Sequence, residues 1–324
     1  MSMIVDPYVF AAGVDPNVGI VWTARTSATD NDWRAVAWSP ELGLFAAVAS
    51  TGTGNRVMTS PDGINWTSRT SAADNEWRSV AWAPSITLFV AVSSTGTGNR
   101  VMTSPDGINW TSRTSAADNN WFNVTWSPEL TLFVAVAGTG TGNRVMTSPD
   151  GINWTSRTSA ADNNWQSVAW SPELNLFAAV AASGVNNRVM TSPDGINWTI
   201  RSTAVDNDYL SVAWSPALML YVAVASTGTF RVMTSPDGIT WSLRTAAAAN
   251  TWVAVVWAAD AALLVAISIT GTGNRVMTSP DGINWTSRTS AADNNWRSIA
   301  WSPELTKLVS VAFSGTGNRV MTSL

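Results

Sequence analysis

The chain has 324 residues, of which 45% are hydrophobic and 12% charged, with a net charge of −4 and a single lysine, Lys307. That balance supplies apolar matter for a large core and argues against nucleic acid, whose phosphates require a basic patch. It contains neither histidine nor cysteine, which removes the usual general base, the thiol nucleophile, any disulfide and most transition-metal ligands.

Taken in chain order, residues 1–19 match the rest of the chain poorly; Tyr8 to Ala12 (YVFAA) reads as an extra strand or as a tether to a protein partner. The start carries no basic region followed by an apolar core, and no run reaches 18 apolar residues, so neither a signal peptide nor membrane insertion is expected. From residue 20 onward one unit is rewritten. Asn99 to Trp121 (NRVMTSPDGINWTSRTSAADNNW) recurs at Asn55, Asn143, Asn187, Phe230 and Asn274. The turn aspartates fall at Asp62, Asp106, Asp150, Asp194, Asp237 and Asp281, a step of 44 residues with one step of 43. A fixed period of this size marks a repeat architecture.

Within one unit four segments read as strands: Trp121 to Ser127, Leu130 to Ala137, Asn143 to Ser148, and Ile152 to Ser159. They are rich in Val, Trp, Phe, Thr and Ile and are separated by Pro, Gly and Asn clusters. In Ser104-Pro105-Asp106-Gly107, proline pre-sets φ and glycine takes the left-handed position that ends a hairpin turn with a bulge. Leu130 to Ala137 (LTLFVAVA) is apolar on both alternating faces, as suits a sheet covered on two sides. The fourth segment is mostly Ser, Thr and Arg, as suits an edge that meets water. No 3.6-residue period is sustained, so no helix is expected.

Four strands per unit of this length predict an all-β fold, a β-propeller with four antiparallel strands per blade. Seven tryptophans open the fourth strand (Trp22, Trp66, Trp110, Trp154, Trp198, Trp241, Trp285), and seven arginines open the third. Ile20 to Ser27 matches a fourth strand and Asn318 to Ser323 a third. The C-terminal strand is therefore expected to pair with the N-terminal outer strand and close a seventh blade, making residues 20–324 one domain.

Ser60-Pro61-Asp62-Gly63-Ile64-Asn65-Trp66 and its copies resemble the Asp-box, or BNR repeat, of sialidase-like propellers, with one residue fewer between Asp and Gly. The resemblance implies that the box is a folding device away from any active site. It also implies a setting among propeller lectins and phage or surface attachment proteins.

A sialidase-like enzyme would need a tyrosine nucleophile with a glutamate partner and an arginine cluster. Tyr209 and Tyr221 replace the repeat's Trp121 and Phe133, and four of the five glutamates sit in Ser-Pro-Glu-Leu turns. Two carboxylates in one asymmetric pocket are what a glycosidase requires, and near-identical blades offer no unique pocket. A non-catalytic protein with no cofactor is expected.

Repetition favours several equal sites. The loop between the second and third strands and the crossing between blades share one face, where every blade gathers Asp, Asn and an aromatic ring, the inventory of a sugar site. The candidate ligand residues are Asp30, Asn31 and Trp33; Asp74, Asn75 and Trp77; Asp118, Asn119 and Trp121; Asp162, Asn163 and Trp165; Asp206, Asn207 and Tyr209; and Asp293, Asn294 and Trp296. Ala249 and Tyr209 mark weakened copies. The competing reading gives Asp and Asn to loop-shaping turns and wedges the tryptophan between blades. Arg100 and Arg113 are expected to link strands through neighbouring aspartates. The crossing aspartates, if ringed near an axial channel, would form a cation site. The sequence thus supports a multivalent lectin-like ring for a glycan or glycosylated surface, or alternatively a structural or protein-interaction ring in a virion or surface assembly.

Overall fold

The computed structural model describes residues 15–203 and 205–324, so the expectation for Tyr8 to Ala12 lies outside the described residues. Among these residues the strands form seven four-stranded antiparallel sheets, the blades of a propeller. The first blade runs Trp33–Ser39, Leu44–Ala49, Val57–Ser60 and Thr67–Arg69, paired in that order. The first strands of adjacent blades pack on one another around the axis, and the fourth strands lie at the rim.

The second and third strands carry the core. Leu132–Ala137 is buried from Phe133 to Ala137, and Val145–Ser148 is buried throughout. Each fully buried Phe stabilises the fold by about 1.5–3 kcal/mol relative to exposure. Trp126 packs on Phe133 with ring centroids 4.5 Å apart at 57°, and Phe133 on Trp154 at 6.2 Å and 38°. These tilted pairs repeat in the other blades that carry the ring. Tyr221 holds the Phe position in the fifth blade and is buried, as its place in the repeat predicts.

The fourth strand is shorter than expected, Thr155–Arg157 rather than Ile152 to Ser159. The turn claims the missing residues. Asp150 Oδ1 accepts from the backbone N–H groups of Ile152 and Asn153, both at 2.8 Å, which withdraws those donors from the ladder. One 3-10 turn, Pro84–Ile86, stands where other blades carry Ser-Pro-Glu-Leu.

Ring closure goes further than strand pairing. Thr23–Arg25 pairs with Val320–Ser323, completing the blade that Trp296–Ser302 and Lys307–Ala312 begin. In the other blades the turn serine and turn glycine come from one segment, as where Gly63 N donates to Ser60 Oγ at 2.8 Å. In the seventh blade Gly19 N donates to Ser323 Oγ at 2.8 Å, across 304 residues. Val18 is fully buried, and Trp22 Nε1 donates to Gly19 O at 3.1 Å, as the other turn tryptophans do. Residues 15–19 therefore belong with the propeller, and the turn is reassembled from the two ends of the chain.

Candidate functional site

The repeated turn is a self-contained carboxylate clasp. Asp106 Oδ1 accepts from Ser104 Oγ and from the backbone N–H groups of Ile108 and Asn109, and Oδ2 accepts from Asn109 Nδ2. Partial burial opposes ionisation of Asp106, Asp150 and Asp194, but the hydrogen bonds from the following Asn and Ile outweigh it and hold each at about 2. Gly107 follows at φ +72, and a Cβ there would sit 2.8 Å from Leu44 of the preceding blade. Both carboxylate oxygens are engaged in bonds within the turn, which suits a structural role.

The crossing motif proves to be a clamp between blades. Asp118 Oδ1 accepts from Gly98 N of the preceding blade at 2.7 Å and lies 3.6 Å from Arg100 Nε. Its neighbour Asn119 reaches the other way, donating through Nδ2 to Asn143 O at 2.8 Å and Asn143 Oδ1 at 3.1 Å. Asp74 with Asn75, and Asp293 with Asn294, repeat both halves. Asp162 with Asn163 and Asp206 with Asn207 do so too, and Asp30 with Asn31 carries the same clamp across the closure to Gly317. Ala249 leaves its copy with the asparagine half alone, Asn250 to Asn274.

The aromatic member of the motif lies between the blades. Trp33, Trp77, Trp121, Trp165, Tyr209 and Trp296 are 0% exposed. Trp121 sits with Val90, Val92 and Val101 of the preceding blade, and its Nε1 donates to Ala117 O at 3.0 Å. A ring buried on both faces presents no surface for a sugar to stack on. The asparagines are buried and committed to their loops; only the aspartates keep an exposed edge. Nor do those aspartates gather: no group of three or more acidic residues among those described could hold a metal. Arg100 does link strands, through Gly96 O, Ser94 O and Asp118, whereas Arg113 bonds Thr103 Oγ1 at 2.9 Å and pairs with no aspartate among the described residues.

What breaks the symmetry lies at the axis. A cavity of about 480 Å³ is lined by the first strands of all seven blades. In each first strand the register slips after the buried aromatic ring, as between Trp121 and Asn123, so that the second residue is a bulge. Bulges re-aim a side chain, and here the seven bulged residues line the cavity: Arg34, Arg78, Phe122, Gln166, Leu210, Val253 and Arg297. Comparing the copies column by column shows this position ranging from Arg to Phe, Gln, Leu and Val, a wider chemical range than the Ala, Ser and Asn of the residue that follows it.

The three arginines belong to three consecutive blades. Arg34 donates to Ser50 Oγ at 2.8 Å, lies 3.7 Å from Asp32 and stacks over Phe313 at 4.4 Å. Arg78 donates to Ser94 Oγ at 2.8 Å and pairs with Glu76. Arg297 has no carboxylate partner among the described residues; its one partner is Val253 O at 3.3 Å. Burial first, then the like charges of Arg34 and Arg78, lower it to about 10, so it stays a cation at neutral pH. The blades are not identical along this cavity, because the column facing the axis is one of those that differ. The other four blades carry Phe122, Gln166, Leu210 and Val253 at this position, with the Phe122 ring centroid 6.0 Å from the Arg78 guanidinium.

No family model and no curated protein matches the sequence. Solved structures share the fold at low identity. Streptogramin B lyase aligns at a TM-score of 0.78 and 6% identity, covering 94% of this chain and 97% of that one. YCF48 from Cyanidioschyzon merolae aligns at 0.69 and 14% identity, covering 94% and 98%. YCF48 bound to D1 peptide aligns at 0.68 and 14%, covering 97% and 96%. The chain is a seven-bladed β-propeller whose structural neighbours include an enzyme and a peptide-bound ring. No described helix is long and apolar enough to cross a membrane.

Proposed function

We propose that this propeller is a non-catalytic protein-interaction ring that takes one peptide segment per molecule at its axial cavity. The observation that carries the reading is the asymmetry of the bulged column: the blades repeat one unit, yet the axis presents arginines from three consecutive blades and Phe122, Gln166, Leu210 and Val253 from the other four. A single asymmetric site suits a single ligand. The crossing loops, by contrast, spend most of their polar groups on holding blades together, which weakens the case for equal sugar sites there. Support also comes from the peptide-bound neighbour, which has the same ring shape.

The test is a random-peptide display library panned on the intact protein, with a glycan array run in parallel. Enriched peptides that compete with one another, saturate at one per ring and are lost when Leu210→Arg fills the cavity support the reading. Glycans that saturate at several per ring, without sensitivity to that substitution, would replace it with the lectin at the exposed aspartates Asp74, Asp118, Asp162 and Asp293.

A further inference from the structure

We infer that the axial cavity is a two-part subsite for a peptide in which an acidic residue stands beside a large apolar one, with Arg297 as the principal carboxylate ligand. This deepens, and rests on, the reading of the ring as a peptide binder.

Local charge balance singles out Arg297. Three guanidinium groups converge on one side of the cavity, and each is flanked two residues upstream by a residue of the crossing: Asp32 before Arg34, Glu76 before Arg78, Asn295 before Arg297. The first two supply carboxylates. Asp32 is further claimed by Arg319, whose Nη1 donates to it at 2.9 Å. Asn295 supplies no charge, and its Oδ1 already accepts from Arg275 Nη1 at 3.0 Å. Arg319 also lies 3.8 Å from Asp30, so four arginines share three carboxylates, and Arg297 alone of the four has none among the described residues. A guanidinium offers planar, two-pronged donation that matches a carboxylate, and a partly buried cation without a counter-ion is where an anion gains most.

The blades without an arginine set the second requirement. Phe122 and Leu210 occupy the same bulged position as the arginines and project into the same cavity. The arginines and these apolar side chains line a single cavity of about 480 Å³. A bare oxyanion would use only the arginines. An acidic residue next to a leucine or phenylalanine uses both.

Three fluorescent peptides with capped ends, carrying Glu-Leu-Glu, Gln-Leu-Gln or Glu-Ser-Glu, are titrated by anisotropy into the protein and into Arg297→Gln and Arg297→Lys, each checked for a native melt. The expected result is one site, preference for Glu-Leu-Glu, weakening on raising salt, and a loss of about tenfold to a hundredfold in Arg297→Gln. Arg297→Lys, which keeps charge without the fork, should fall between. Arg78→Gln reads the same set of arginines from another blade should Arg297→Gln not fold. Equal binding of Glu-Leu-Glu and Gln-Leu-Gln, or indifference to Arg297→Gln, overturns the inference while leaving the peptide-binding ring intact. Equal binding of Glu-Leu-Glu and Glu-Ser-Glu, or full displacement by inorganic phosphate at matched ionic strength, overturns its apolar half. If no peptide from the display library binds at the cavity, both fall together.

Discussion

Substituting Ser85 by glutamate should make the protein more stable, and the reason is written in the other blades. On the face opposite the crossings, the first-strand tryptophan of one blade donates to the turn glutamate of the blade before it. Trp82 bonds Glu41, Trp170 bonds Glu129, Trp214 bonds Glu173, and Trp38 closes the circle on Glu304, all at 2.6 Å. Trp126 has no such partner, because the residue 41 positions upstream is Ser85, and its buried Nε1 is left unbonded. A buried unsatisfied donor costs about 1–3 kcal/mol. Holding a glutamate in one rotamer costs up to about 2 kcal/mol. The net expectation is a gain of about 1 kcal/mol, with the converse Glu129→Ser losing about 1–2 kcal/mol at Trp170. Urea unfolding followed by tryptophan fluorescence measures both, and the indole N–H proton of Trp126 should move downfield towards those of Trp82 and Trp170. A Ser85→Glu protein no more stable than wild type, together with a Glu129→Ser protein of unchanged midpoint, would refute the idea that these bonds stabilise the ring.

Other expectations rest on the same geometry. Trp121→Ala should destabilise by about 3–5 kcal/mol, because a fully buried ring between two blades is removed; a loss under about 1 kcal/mol in urea melts would mean the wedge is not packed as described. Asn119→Ala should cost about 1–3 kcal/mol by stranding the Asn143 acceptors, and hydrogen exchange should rise in both flanking loops. The clasp aspartates set an acid limit. Asp106, Asp150 and Asp194 are held at about 2, below their ordinary value of 3.8, so their stabilisation is complete above about pH 4–5 and is lost as pH falls through about 2. Asp106→Asn should flatten the urea midpoint against pH in that window; an unchanged slope would refute the assignment. Gly107→Ala should be strongly destabilising, since it combines φ +72 with a 2.8 Å approach to Leu44, and a neutral effect in the melt would contradict the turn geometry.

The fold was legible because its signals are local and are repeated. Pro-Asp-Gly specifies a hairpin by backbone conformation alone, and the half units at Ile20 and Asn318 complete each other by simple complementarity. The candidate site was not legible in the same way. Asp118, Asn119 and Trp121 look alike whether they hold a sugar or a neighbouring blade, since the chemistry is the same hydrogen-bond inventory; only the partners, Gly98 on one side and Asn143 on the other, distinguish the two. Burial of Trp121 was equally ambiguous, because a strand that starts with an aromatic ring can point it either way until the bulge at Phe122 fixes the register. The reassembled turn at Gly19 escaped notice because Val18 stands where the repeat has its aspartate, and the serine it needs arrives 304 residues later.

The arrangement also explains why variation concentrates where it does. A blade position buried between two others is felt by both neighbours, so a change there disturbs two packing surfaces, and the crossing clamp couples them further. The bulged residue of the first strand is different. Its side chain leaves the sheet towards the axis, and its backbone is outside the regular ladder. It is Arg, Phe, Gln, Leu or Val in different blades while the backbone register stays the same. Even the polar bridge beside it is carried by the next residue, as where Val124 N donates to Ser79 Oγ and Val168 N to Asn123 Oδ1. A ring of near-identical blades can therefore acquire an asymmetric site in only a few places at low cost in stability, and the axis is one of them. The charge placed there by Arg34, Arg78 and Arg297 is not needed for the fold: Phe122, Leu210 and Val253 occupy the same position in other blades with the same backbone. Arg34 and Arg78 have carboxylates of their own, so Arg297 is the one left for the acidic peptide proposed above.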